Sequence, residues 1–176
     1  NVSRAIKALG GNSVALGFCG GTNGRIVKDM LTSGDIHHDF VDISGQMRVN
    51  TQIIDAQGGH TEVNEPGSKI EDADFLRLLD RMEMYLHEGN IFVLAGSTPP
   101  DFPLKNYRKL CKLIKKRGCK LIIDAQGDLL LEALKCEPDF VKPNIFELAE
   151  AVGDKPSADP EVVVISARKM LDMGAR

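Results

Sequence analysis

The chain has no run of about 18 consecutive apolar residues, so it offers no membrane-spanning helix. Its first residues, Asn1-Val2-Ser3-Arg4, include no initiator methionine and lack the anatomy of a secretory signal. No Cys-x-x-Cys spacing occurs among Cys19, Cys111, Cys119 and Cys136, and no His-x-x-x-His accompanies His37-His38, so zinc is not indicated. Three of the cysteines border apolar segments; buried, reduced thiols in a cytoplasmic protein are the expectation. There is no Gly-Lys pair, hence no P-loop, and no Gly-x-Ser-x-Gly elbow that would make Ser97 a nucleophile. An excess of positive charge is also missing: the net charge is −3 and the pI about 5.8, which disfavours nonspecific nucleic-acid binding. The one basic cluster, Lys112, Lys115, Lys116, Arg117 and Lys120, falls at the end of a predicted helix, where it complements the helix dipole. Internal repeats and low-complexity tracts are absent, and 176 residues suffice for one sizeable core.

What is present is a series of short apolar runs with abrupt stops. Ile91–Ala95 stops at Gly96-Ser97-Thr98-Pro99-Pro100, Leu121–Ile123 at Asp124-Ala125-Gln126-Gly127, and Phe140-Val141 at Lys142-Pro143-Asn144. Each run is β-branched or aromatic and is followed by a helical pattern. That alternation predicts a parallel sheet with right-handed crossovers. The three stops then share the carboxyl rim of the sheet, where open α/β folds bind ligands. Ser97, Asp124 and Asn144 are therefore expected to cluster on one rim.

Upstream, Val2, Ala5, Ile6 and Leu9 follow helical spacing, Ser13–Phe18 reads as a strand, residues 24–32 as a helix, and Phe40–Ile43 as a short strand. Residues 47–64 break the pattern. Met47–Ile53 alternates strictly, Asp55–Gly59 is turn chemistry, and His60–Asn64 returns. This predicts an antiparallel hairpin standing away from the main sheet, with Arg48, Asn50 and Gln52 on one face and Met47, Val49, Thr51 and Ile53 on the other. A flap over a site and an ordinary edge hairpin both fit. A helix over Asp72–His87 carries Phe75, Leu78, Leu79 and Met82 as a core stripe, and another helix begins near Glu161. The abrupt beginning and end suggest a piece of a longer protein.

Several residues at the stops could carry chemistry. Asn144-Ile145-Phe146-Glu147 opens a helix and has the form of a capping box. It would also suit phosphate at a helix N-terminus, with Glu147 organising Mg²⁺ through water. Lys142 adds a positive charge or is a solvated strand-end lysine. Asp124 could touch metal or ligand, or cap the helix starting near Asp128. A second motif, Cys19-Gly20-Gly21-Thr22-Asn23-Gly24, partly matches a dinucleotide fingerprint, with Asp42 at the distance of a ribose acid and Cys19 where glycine is needed.

Taken together, the chain resembles the ribokinase-like (PfkB) sugar kinases. The resemblance rests on Asn1-Val2-Ser3 with Gly10 and Gly20 at their spacings, on Ala95–Pro100, on Ile123–Gly127 and on Val141–Leu148, in order, across essentially all 176 residues. It implies a three-layer α/β/α fold with a mostly parallel sheet, in which 1–46 and 65–176 belong to one α/β domain and 47–64 is an inserted β-hairpin lid. It implies transfer of the ATP γ-phosphoryl group to a sugar-phosphate hydroxyl. Arg48-Val49-Asn50 and the Gly-Ser-x-Pro-Pro turn point to the phosphosugar branch, and Glu62–Gly67 inclines the substrate to fructose 1-phosphate over tagatose 6-phosphate or fructose 6-phosphate.

On this resemblance Asn1, Arg48, Asn50 and Ser97 would bind the sugar phosphate, with Arg48 on its phosphate. Lys142, Asn144 and Glu147 would hold ATP phosphates, and Glu147 and Asp124 would organise Mg²⁺ indirectly. The implied partners are phosphosugar and ATP, with a homodimer through the lid. Two family features do not occur here: the glycine-rich run before Asn1, and the Gly-Ala-Gly-Asp segment whose aspartate is the family's general base. The rival expectations are a non-catalytic sugar- or nucleotide-binding module and an NAD-binding domain built on Gly21 and Gly24.

Overall fold

A computed structural model describes all residues, 1–176. The chain divides into two compact units: Asn1–Glu83 with Pro99–Asp101, and Met84–Thr98 with Phe102–Arg176.

In the first unit the order is α1 (Val2–Ala8), β1 (Val14–Gly20), α2 (Gly21–Ser33), β2 (His37–Ile43), β3 (Asn50–Ile54), β4 (His60–Asn64) and α3 (Asp72–Glu83). β1 and β2 are parallel, with Val14 opposite His37 and Gly20 opposite Ile43. α2 and α3 both pack on this pair, and the core holds Cys19, Ile36, Val41, Phe75, Leu78, Leu79 and Met82. β2 starts three residues before the expected Phe40. His37, His38 and Asp39 hide the alternation, but the ladder to β1 recruits them, and partners outside the core take their side chains: His38 stacks on Phe40 and bonds Thr32, and Asp39 pairs with Arg81. α3 ends at Glu83 rather than His87. Leu9, the expected last member of the α1 stripe, caps that helix and is 88% exposed.

β3 and β4 form their own antiparallel sheet, separate from β1–β2. The turn between them closes on Asp55, whose Oδ1 accepts from Gln57 N (2.9 Å) and Gly59 N (2.7 Å). β3 begins at Asn50, so Met47, Arg48 and Val49 lie outside it. The reason is local: Met47 bonds to Gly20 and Asn23, and Val49 N–H goes to a side chain instead of the ladder.

The second unit is the predicted strand–helix series: β5 (Ile91–Ala95), α4 (Leu104–Lys116), β6 (Lys120–Asp124), α5 (Gly127–Leu134), β7 (Phe140–Val141), α6 (Ile145–Val152) and α7 (Pro160–Asp172). The strands lie in the order β5-β6-β7, all parallel, with Ala95 opposite Asp124 and Ile123 opposite Val141. Tyr107, Leu110, Cys111 and Ile114 make the buried stripe of α4, at the i, i+3, i+4, i+7 spacing of an amphipathic helix. They lie with Leu121, Ile123, Leu130, Ala133 and Leu134 in the core. The Tyr107 hydroxyl is buried there without a hydrogen-bond partner. All four cysteines are buried and unbridged, as expected. No helix is long and apolar enough to cross a membrane.

Candidate functional site

The second unit brings the three stops to one rim. β5, β6 and β7 run parallel, and Ser97, Asp124 and Asn144 stand at or just past their carboxyl ends. Gly96 N–H donates to Asp124 O (3.0 Å) and Lys142 N–H to Ile123 O (3.1 Å), which ties the three strand exits together. Gly96 turns the chain out of β5 at φ +86, where glycine avoids the strain a side chain would suffer. Ser97 is exposed just beyond it.

Asn144 and Glu147 form the complete capping box. Asn144 Oδ1 accepts from Phe146 N (2.9 Å) and Glu147 N (3.0 Å), and Glu147 Oε2 accepts from Asn144 N (2.8 Å). The box satisfies three backbone donors and leaves Glu147 Oε1 without a protein hydrogen bond. Lys142 Nζ lies 3.0 Å from Asp124 Oδ1. That hydrogen bond and the Asp124 charge raise the Lys142 pKa, with a smaller contribution from Glu147. Asp124 is therefore not a helix cap: α5 starts at Gly127 with Gln126 as N-cap, and no side chain caps it. The rim thus carries one lysine, two carboxylates and a helix N-terminus, a charge pattern suited to phosphate and to a cation held through water. No three carboxylate, histidine or cysteine side chains gather as a metal cage.

Asn1, Arg48 and Asn50 belong to the first unit. Asn1 is the N-cap residue of α1, and its side chain makes no capping bond. Arg48 and Asn50 are exposed, and Arg48 is in no ion pair. On the hairpin, Asn50 lies opposite Asn64 and Gln52 opposite Glu62, so the polar face extends across both strands. Gln52 Nε2 (3.4 Å) and Asn64 Nδ2 (3.2 Å) both donate to the Glu62 carboxylate. Asn23 and Glu65 hold the backbone on either side of Arg48, a role that the runs Cys19–Gly24 and Glu62–Gly67 in which they fall do not signal. Only the antiparallel register, which sets Glu65 opposite Val49, could have pointed to Glu65.

The pfkB family carbohydrate kinase model matches residues 1–176. The chain belongs to the pfkB carbohydrate kinase family. It is 35% identical to the 1-phosphofructokinase of Bacillus subtilis over 175 residues, covering 99% of this chain and 56% of that protein. It is 30% identical to the tagatose-6-phosphate kinase of Staphylococcus epidermidis, over 90% of this chain and 52% of that protein. Among solved structures, phosphofructokinase-2 from Escherichia coli in complex with fructose-6-phosphate superposes with a TM-score of 0.90 at 28% identity, over 99% of this chain and 58% of that one. The fold is thus the α/β fold of the ribokinase-like phosphofructokinases. The chain spans a little over half the length of the relatives it matches.

Membership in the pfkB family also displaces the dinucleotide expectation, and the glycines of that motif have local reasons. A Cβ on Gly20 would lie 2.0 Å from Gly45 O, and one on Gly21 would lie 1.7 Å from Gln46 Oε1. Their missing side chains make room for the loop at 45–46, not for a pyrophosphate.

Proposed function

We propose that this chain is the portion of an ATP-dependent sugar-phosphate kinase that binds both substrates, and that the acceptor is a ketohexose phosphate, fructose 1-phosphate before tagatose 6-phosphate or fructose 6-phosphate. The observation that carries the reading is the shared carboxyl rim of β5, β6 and β7, with Asp124, Lys142, Asn144 and Glu147 on it, in a chain of the pfkB family.

Asn144 and the first turn of α6 bind the ATP phosphates through backbone donors and the helix dipole. Lys142 adds a charge. Glu147 and Asp124 would hold Mg²⁺, which would supply charge to neutralise the phosphates. Ser97 and Asn1 orient sugar hydroxyls. Arg48 takes the phosphate already on the sugar, with Asn50 beside it, because the planar guanidinium fork matches phosphate oxygens and stays charged. The hairpin is a lid that excludes water, which would otherwise hydrolyse ATP, and it is also the surface for a homodimer. The base that deprotonates the acceptor lies outside these residues. A cytoplasmic location accompanies this reading.

The test is a coupled assay of the full-length protein with ATP, Mg²⁺ and each of the three ketohexose phosphates in turn. Phosphorylation of one of them, fastest with fructose 1-phosphate, is expected. No turnover of any, with binding of sugar phosphate or ATP intact, would leave a non-catalytic module instead.

A further inference from the structure

Arg48 stands in neither a helix nor a strand, yet the backbone on both sides of it is held at all four polar groups. On the N-terminal side, Met47 N–H donates to Gly20 O (3.0 Å), and Met47 O accepts from Asn23 Nδ2 (3.2 Å). On the C-terminal side, Val49 N–H donates to Glu65 Oε2 (2.9 Å), and Val49 O accepts from Glu65 N–H (3.3 Å). The next rung of the β3–β4 ladder is thus closed by a carboxylate in place of Glu65's own carbonyl. One residue further out, the Ser68 hydroxyl accepts from Gln46 N–H (2.8 Å) and donates to Gln46 O (3.0 Å). Gly67, at φ +80, passes close to the Arg48 stem: a Cβ there would lie 3.4 Å from Arg48 Cβ.

The result is a fixed pedestal under a side chain that makes no ion pair itself. Fixing the backbone of a long side chain in advance lowers the ordering cost of the contact it will make. Two of the four holding groups are side chains, Asn23 Nδ2 and Glu65 Oε2, and neither can be replaced by alanine without freeing a backbone group. We infer that Asn23 and Glu65 are positioning residues that aim Arg48 at the sugar-phosphate's phosphate. This rests on the assignment of Arg48 above. Each acts through the main chain of a neighbour, Asn23 through Met47 and Glu65 through Val49, and neither touches the substrate.

The experiment is a double-mutant cycle in the full-length protein, with the ketohexose phosphate it phosphorylates and ATP varied separately. Glu65→Ala and Asn23→Ala should each raise the KM for the sugar phosphate roughly three- to tenfold, the range for loss of one ordinary hydrogen bond. The KM for ATP should stay the same. Glu65→Gln should restore the wild-type value, because its amide oxygen can still accept from Val49 N–H. In an Arg48→Ala background both alanine changes should add nothing.

If Arg48→Ala weakens sugar-phosphate use and the other two do not, the positioning role is overturned and the Arg48 assignment stands. The positioning role is likewise overturned if they weaken it equally with Arg48 absent. If Arg48→Ala has no effect, or no ketohexose phosphate is turned over, the assignment beneath falls and takes this inference with it. Should Glu65→Ala not fold, Asn23→Ala and Glu65→Gln carry the same comparison.

Discussion

At Glu147, Oε2 is committed to the Asn144 N–H and Oε1 is bonded to no protein group. A capping role and a Mg²⁺-organising role can therefore coexist in one side chain, and a single substitution separates them. Glutamine at this position keeps the oxygen that the capping box needs but loses the charge that a cation needs. Glu147→Gln in the full-length protein should leave the melting temperature within about 2 °C, as expected for a change of a few tenths of a kcal/mol. It should lower kcat strongly, with partial recovery at high Mg²⁺. Near-normal turnover at ordinary Mg²⁺ would leave only the cap. Arg48→Ala should weaken sugar-phosphate use about ten- to a hundredfold, the range of a lost hydrogen bond to a charged group, and leave ATP use unchanged in steady-state kinetics. The capping box of Asn144 and Glu147 was legible in the sequence because it is a local motif, whereas the alternation that placed Arg48 on a strand stops short of it, at Asn50. The roles of Glu65 and Asn23 were not legible. Their partners are backbone groups 16 and 24 residues away, and only the folded register brings them together.

Helices were recognisable where one face repeats at 3.6 residues, as in α3 and α4, and the strands β5 and β6 as short apolar runs that stop at turn residues. Boundaries went astray where polar residues enter a strand because a neighbour recruits them, as in β2, or leave one because other groups claim their backbone, as at Met47–Val49. α4 and α5 show how such elements are joined. Glu132 of α5 accepts from Arg108 of α4 and, through Oε1, from Lys135 Nζ at 2.6 Å. The hydrogen bond from Arg108, then that from Lys135, pulls the Glu132 pKa from its ordinary 4.5 down to about 2. The folded-state pKa is depressed, so the stabilisation is complete above the unfolded value and is lost as pH falls through the folded one. Glu132→Gln should accordingly flatten the fall of melting temperature between about pH 4.5 and 2, read by calorimetry at half-unit steps. An unchanged slope there would mean that the bridge contributes nothing to stability.

For the whole molecule, the parallel α/β plan followed from the spacing of three apolar runs. The division after Glu83, with Pro99–Asp101 joining the first unit, did not, because periodicity along a chain carries no signal for where contacts part. Large apolar side chains stay exposed on the second unit, among them Ile91 at 60%, Phe140 at 54%, Phe146 at 64% and Ile165 at 56%. The 176-residue chain made alone should therefore bind an apolar dye such as ANS and self-associate as its concentration rises. Fluorescence and sedimentation velocity read both effects; a dye-silent monomer would contradict this expectation. The buried Tyr107 has one more consequence. It and Tyr85 are the only tyrosines, tryptophan is absent, and both tyrosines lie in the second unit. Tyrosine emission from this chain is thus a private signal of that unit, whereas far-ultraviolet circular dichroism reads the backbone of both. A denaturant titration followed by the two methods together asks whether the units melt as one: coincident curves mean a single cooperative transition, and separated curves mean two.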